Sequence, residues 1–373
     1  MRVEQFVFQN ENLNFPAFDK SPDWVLAFGQ RSLLNEAYPQ LRKAFPESTV
    51  TACSTSGEIS NQQVLDDSLV VNALWLDKVR LASQSVNIKD YANSYQAGEE
   101  LLKKFDRAEL SFVFVLSDGQ LVNGTDLVKG MSAAVENKIP IAGGLAGDGA
   151  AFKHTVVGLN DHHGEGLVVA IGFYGPELKV GYGSRGGWSS FGPTRTITRS
   201  EANVLYEIDG KPALELYKRY LGDYAADLPG SALLFPLALR NPEDEQEVVR
   251  TILSIDQKRE SMTFAGNMPE GATVRLMKAN LDHLVDAAFD AAEHSLPQEK
   301  AKGEQLSILI SCVGRKLIFG SRIDEELESA RDILGQDTLI TGFYSYGEIS
   351  PFQPLSSCSL HNQTMTVTTL SEG

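Results

Sequence analysis

At 373 residues the chain exceeds one ordinary core and calls for two or three domains, and its 42% apolar content can fill them. Its 33 basic and 49 acidic residues give a net charge of −16. With no basic run of five or more, that charge argues against nucleic acid or anionic membranes as partners. Three cysteines, Cys53, Cys312 and Cys358, make no disulfide framework. The opening MRVEQFVFQN lacks a signal-peptide core, and apolar stretches such as GLVVAIGFYG (166–175) are about half a bilayer span. These features predict a cytoplasmic protein without membrane insertion.

In chain order, WVLAFG (24–29) reads as a strand closed by glycine. Ser32 is placed to cap a helix carrying Leu33, Leu34, Ala37, Leu41, Ala44 and Phe45 at helical spacing, and Pro46 stops it. STVTACS then returns as a strand ending near Gly57. A second unit follows: SFVFVLS (111–117), a helix from about Thr125 to Asn137, then KIPIA and the glycine-rich GGLAGDG (143–149). From about 155 to 210, extended runs broken by glycine predict antiparallel or irregular sheet. Pro212 at the first helical position and Gly222 beyond the end frame ALELYKRYL as a helix. NLDHLVDAAFDAAEHSL (280–296) is amphipathic, and PQEKAKGEQ (297–305) reads as an exposed connector. A third unit closes the chain: LSILISC (306–312), RIDEELESARDIL with Gly335 past its end, and DTLITGFYS ending at Gly347. Strand–helix–strand units imply parallel pairs with right-handed crossovers. The expected fold is α/β: two packed halves with internally repeated strand–helix–strand units plus antiparallel strands. The clustering of turn residues at 210–230 sets the expected division at 1–215 and 216–373.

TACSTSGEIS (51–60) and TGFYSYGEIS (341–350) repeat one motif. Each puts hydroxyls, a glycine and a carboxylate at the carboxyl end of a strand, where α/β sheets bind ligands. Candidate ligand-binding residues are therefore Ser54, Thr55, Ser56, Gly57 and Glu58, with Tyr344, Tyr346, Gly347 and Glu348 in the second copy. Asp118, Gly144 and Asp148 join them from neighbouring strand ends. The structural alternative is a tight turn in which each glycine takes positive φ and each glutamate is solvated. GGLAGDG precedes a strand-like AFKHTVVG rather than a helix, against a dinucleotide fingerprint. His162 and His163 alternate faces and make a poor metal pair. Cys358 and His361 form at most half a metal or haem site, the alternative being a histidine that anchors the last strand. CSTSG is not a nucleophile elbow, and Cys53 has no histidine nearby in sequence. No catalytic residue is assigned.

TACSTSGEIS, VLSDGQLVNG, IPIAGGLAGDG, ITRSEANVLYEIDGKPALELY, FPLAL, GFYSYGEISPF and HNQTM, in that order over about residues 22–370, resemble the FIST domain family. The resemblance implies an N-terminal and a C-terminal FIST domain and a sensory module of bacterial signal transduction that binds a small, amino-acid-like molecule. Its implied partner is a separate signalling protein such as a histidine kinase, as in two-component systems, or a cyclic-dinucleotide enzyme. Some members are haem proteins that sense nitric oxide, and His361 would be the axial position to try. An enzyme acting on a small metabolite is the remaining alternative. For a zwitterionic ligand, Glu58, Asp118, Asp148 and Glu348 could hold the amine, and Arg185 or Arg195 the carboxylate.

Overall fold

The computed structural model describes residues 1–9, 13–241, 247–297, 304–351 and 358–373; most of the expected connector 297–305 lies outside them. The first unit runs β1 (Arg2–Phe8), β2 (Trp24–Gly29), α1 (Arg31–Ala44), β3 (Thr49–Ser54), β4 (Glu58–Ser60), β5 (Gln63–Leu65) and β6 (Leu69–Trp75). The second repeats it: β7 (Arg80–Asn87), α2 (Ser94–Lys103), β8 (Leu110–Ser117), α3 (Gly124–Ala134), β9 (Ile141–Leu145), β10 (Val157–Leu159), β11 (His162–Gly164) and β12 (Leu167–Tyr174).

The third unit opens with β13 (Leu178–Arg185) and is interrupted by an inserted sheet. Its strands are β14 (Ser189–Glu201), β15 (Val204–Ile208), β16 (Lys211–Pro212), β17 (Leu237–Arg240), β18 (Glu247–Arg250), β19 (Ile252–Asp256), β20 (Ser261–Phe264) and β21 (Thr273–Lys278), with α4 (Ala213–Leu221) packed on them. The unit then resumes with α5 (Leu281–His294), β22 (Leu306–Cys312), α6 (Val313–Phe319), α7 (Asp324–Leu334), β23 (Leu339–Ser345), β24 (Gly347–Pro351), β25 (Cys358–His361) and β26 (Met365–Glu372).

The expected parallel pairs are present: β2 with β3, β8 with β9, and β22 with β23. Three six-stranded sheets share one order, β1-β6-β2-β3-β10-β11, β7-β12-β8-β9-β24-β25 and β13-β26-β22-β23-β4-β5. In each, the last hairpin is lent by a different unit. After its return strand the chain crosses into the neighbouring sheet, so the three units interlock cyclically. Their inner faces close over one core that includes Trp24, Phe28, Phe114, Phe173, Ile310 and Phe343. Trp24 packs edge-on against Phe114 and Phe173 at 5.7 and 5.5 Å, and its indole N–H donates to Thr51 Oγ1 at 2.8 Å. A buried indole is favourable only with such a partner. Helices cover the outer faces through separate clusters, Leu34 and Leu41 of α1 on one and Leu327 and Ala330 of α7 on another.

Local signals shifted slightly. Gln30, not Ser32, caps α1, its side-chain oxygen accepting the Ser32 and Leu33 N–H groups. Pro212 is the cap of α4 rather than its first residue. The division expected at 215/216 falls inside α4, whose flanking strands belong to one inserted sheet, and two of the three interlocked sheets take strands from both sides of it.

Candidate functional site

The first corner begins where β3 ends. Ser54 exchanges two hydrogen bonds with Val156, its N–H donating to Val156 O at 2.8 Å and its Oγ accepting the Val156 N–H at 2.9 Å. Gly57 sits at φ 136°, a conformation that side chains resist, and this lets β4 swing out to pair with β23. Glu58 then turns inward and is 1% exposed, not solvated. Its carboxyl accepts from the Thr55 hydroxyl and, at 2.6 Å, from Ser68 Oγ. Burial pushes it up to about 7, against the opposing pull of the Ser68 and Thr55 hydroxyls and of Lys316.

Glu58 lines a cavity of about 280 Å³ with Thr55, Ser56, Gly57 and Asp148 from the predicted set. The other walls are Gln30, Arg31, Asp66, Asp67, Gly149 and Ala151. Four carboxylates face one guanidinium, so the field favours a cationic group, and Arg31 at the start of α1 offers a counter-pole for an anionic end. Lys316 reaches across from α6, its ammonium donating to Ser56 O at 2.9 Å and pairing with Asp66.

The glycine-rich loop closes the site from above. The Tyr346 hydroxyl accepts the N–H groups of Asp148 and Phe152 at 3.1 Å each and bonds the Asp148 carboxylate. Its ring stacks on Phe152 at 4.5 Å. Ser56 Oγ donates to Gly149 O at 2.9 Å, and Asp148 Oδ2 accepts from the Lys153 and His154 N–H groups at 3.0 and 2.8 Å. The loop is thus pinned by both repeated motifs, and Tyr346 borders a second cavity of about 250 Å³.

The second corner does not share the first cavity. Glu348 is fully buried opposite Gly144 of β9, whereas Glu58 lies opposite Phe343 of β23, so the two stand in different sheets. Ser345 Oγ donates to Glu348 at 2.7 Å, and the Thr364 hydroxyl and N–H donate at 2.8 and 3.2 Å. Burial outweighs them and pushes its carboxyl up to about 8. Gly347 does not have positive φ. The third corner carries no acid: Val157 stands opposite Cys53 as Glu58 stands opposite Phe343.

The remaining candidates lie outside this cavity. Asp118 accepts the N–H groups of Gln120, Leu121 and Gly166 at 2.7–2.9 Å. Gly144 makes room in the core, where a side chain would meet Ile310 and Phe343. Tyr344 donates to Glu326 at 3.1 Å, within a buried pair formed by Arg315 and Glu326. Arg185 bonds His294 and Arg195 pairs with Asp209, and neither lines the cavity.

His361 does not fit a porphyrin. It is 2% exposed within the β24–β25 pair, its Nε2 lies 3.0 Å from Ser350 O, burial lowers its pKa to about 4, and it lines none of the cavities described. Cys358 bonds Ile141 O at 3.3 Å. Cys53 is fully buried, which raises its thiol and removes it as a nucleophile. His162 and His163 are exposed, His163 stacking on Tyr38. Among the described residues no group of three or more His, Cys, Asp or Glu is placed to hold a metal.

Sequence reasoning missed Gln30, Arg31, Asp66, Asp67 and Ser68. The last three return to the corner on the β4–β5 hairpin, and the Asp-Asp-Ser run just before a buried strand was the available signal.

The family models for the FIST N domain and the FIST C domain match residues 23–211 and 213–351. The chain belongs to the FIST family. FIST domains are sensory domains of signal-transduction proteins. An uncharacterized protein of Methanocaldococcus jannaschii is 22% identical over 325 residues, 81% of this FIST chain and 62% of that protein, so the chain spans under two thirds of its length. The crystal structure of cyanuric acid hydrolase from A. caulinodans aligns over 99% of both chains at 8% identity with a TM-score of 0.36. Among the described residues of this FIST protein, no helix is long and apolar enough to cross a membrane.

Proposed function

We propose that this FIST protein senses a small amino-acid-like molecule in the Glu58 cavity and reports it to a separate signalling protein, such as a histidine kinase or a cyclic-dinucleotide enzyme. The observation that carries the reading is a buried glutamate, poised near 7 by burial, on the wall of a 280 Å³ cavity whose other charged lining residues are three aspartates and one arginine. An ammonium entering there meets Glu58, Asp66, Asp67 or Asp148, and a carboxylate meets Arg31. The ligand would compensate the buried charge of Glu58 and draw together the α1 start, the first corner and the loop over it. Because β4 is a strand of the β23 sheet and Lys316 ties α6 to Ser56, tightening the corner favours one arrangement of the FIST C part, which a partner could read.

Titration calorimetry with the common L-amino acids tests this. At least one should bind, its deaminated and decarboxylated analogues should not, and Glu58→Gln and Arg31→Ala should each weaken binding by about tenfold or more. Unchanged affinity in Glu58→Gln removes the site.

A further inference from the structure

A third cavity, remote from Glu58, lies where the inserted sheet meets the interlocked sheets. Its volume is about 360 Å³, and Arg250, the last residue of β18, forms part of its wall. Arg250 is 5% exposed. Its Nη1 donates to the carbonyls of Val249 at 3.2 Å and Leu360 at 3.1 Å, while Nε has no partner. Among the described residues no carboxylate pairs with this guanidinium. A buried arginine is normally matched by an acid, because removing the charge from water without compensation is costly. Here burial alone acts on the group and draws its pKa down to about 10.

The surroundings define what could supply the missing charge. Val128, Leu239, Val248, Met268 and Leu360 make much of the wall apolar. Asn267 is held at both ends of its side chain, donating to Asp126 at 2.8 Å and accepting from Asn123 at 2.7 Å, so the floor is preset. Lys129 stands exposed at the rim and adds attraction for an anion, and Glu270, engaged by the Ser200 N–H at 2.9 Å, opposes a second negative charge. One buried fork-shaped donor with apolar walls suits a planar monoanion better than a phosphate dianion.

We infer that this cavity binds a small organic acid through its carboxylate, Arg250 facing the carboxylate and Leu239, Val248 and Leu360 enclosing an apolar body. Since Arg250 belongs to the inserted sheet and Leu360 to β25, the ligand braces the joint between them, a position pockets favour. The site is independent of the Glu58 cavity.

Thermal unfolding of the full chain with straight-chain monocarboxylates from acetate to octanoate tests it, with the matching amides and inorganic phosphate at equal ionic strength as controls. One or more of the acids should raise Tm by several degrees once in about hundredfold excess over its dissociation constant, and the amides and phosphate should not. Arg250→Met should abolish that rise. Val248→Phe, which fills the cavity and leaves the guanidinium in place, should abolish it as well, whereas Glu58→Gln should retain it. A rise that survives both cavity variants, an equal rise with the amides, or no rise with any acid overturns the inference. A rise with phosphate alone overturns the carboxylate assignment.

Discussion

Glu58 and Glu348 leave equivalent strands through the same Gly-Glu-Ile-Ser tetrapeptide, and each receives a hydroxyl from the residue three places earlier, Thr55 or Ser345. Each receives a second from a residue that returns on the following hairpin, Ser68 or Thr364. Their surroundings then diverge. Beside Glu58 the neighbouring position is Ser56, small enough to leave a cavity, and the hairpin brings back Asp66 and Asp67. Beside Glu348 it is Tyr346, which swings over the 147–152 loop, and the hairpin brings back the buried Asn362 and Gln363. One repeated turn therefore yields an open corner and a sealed one, and the difference lies in the residues beside the motif.

The largest test concerns what holds the sealed corner. Tyr344 occupies the position of Ser54 and rests on the buried Arg315–Glu326 pair, 2.6 Å apart and wholly inaccessible. Glu326→Ala strands the Arg315 charge and should cost about 3–5 kcal/mol in urea unfolding. Ser54→Ala, which loses one hydroxyl from the open corner, should cost about 1 kcal/mol. Similar costs would show that the two corners are supported alike.

The next test is pH. The Glu348 carboxyl is raised from 4.5 to about 8 on folding. Below 4.5 both states are protonated; between 4.5 and about 8 only the unfolded state gives up its proton, so the native protein loses stability as pH rises through that window. Glu348→Gln lacks this loss and should gain about 2–4 kcal/mol on the parent by pH 8.5, with no gain near pH 4. Glu58→Gln should behave likewise but more weakly, with the gain complete near pH 7. Two indistinguishable profiles would mean that the two carboxyls are buried alike.

The last test concerns the glycines. Gly57→Ala forces a side chain into φ 136° and against the Lys316 ammonium, and should cost about 1–2 kcal/mol. Gly347→Ala meets Leu360 at 3.0 Å, with Leu145 and Asn362 at ordinary contact distance, and should cost less. A reversed order would assign the strain to the wrong corner.

The strands, helices and duplicated motif were legible in the sequence because they are local: Trp24–Gly29, the Gly335 stop and the hydroxyl–Gly–Glu spacing need no distant partner. The burial of the glutamates was not, since Ser68 and Thr364 reach them only through hairpins that dock on another unit's sheet. Arg31 and Arg250 were passed over for a related reason: only the packed α1 start and the joint at β25 give them a cavity to face.

The lending of hairpins between sheets has a consequence for synthesis. β4 has no place to dock until β23 has been made, and β9 waits for β24. The FIST N part therefore leaves the ribosome with exposed strand edges, and two of the three interlocked sheets close only once the strands from β22 to β26 have been made. Closure of those two sheets waits for the FIST C strands, and until then the open edges of the nascent chain must be kept from pairing with its neighbours.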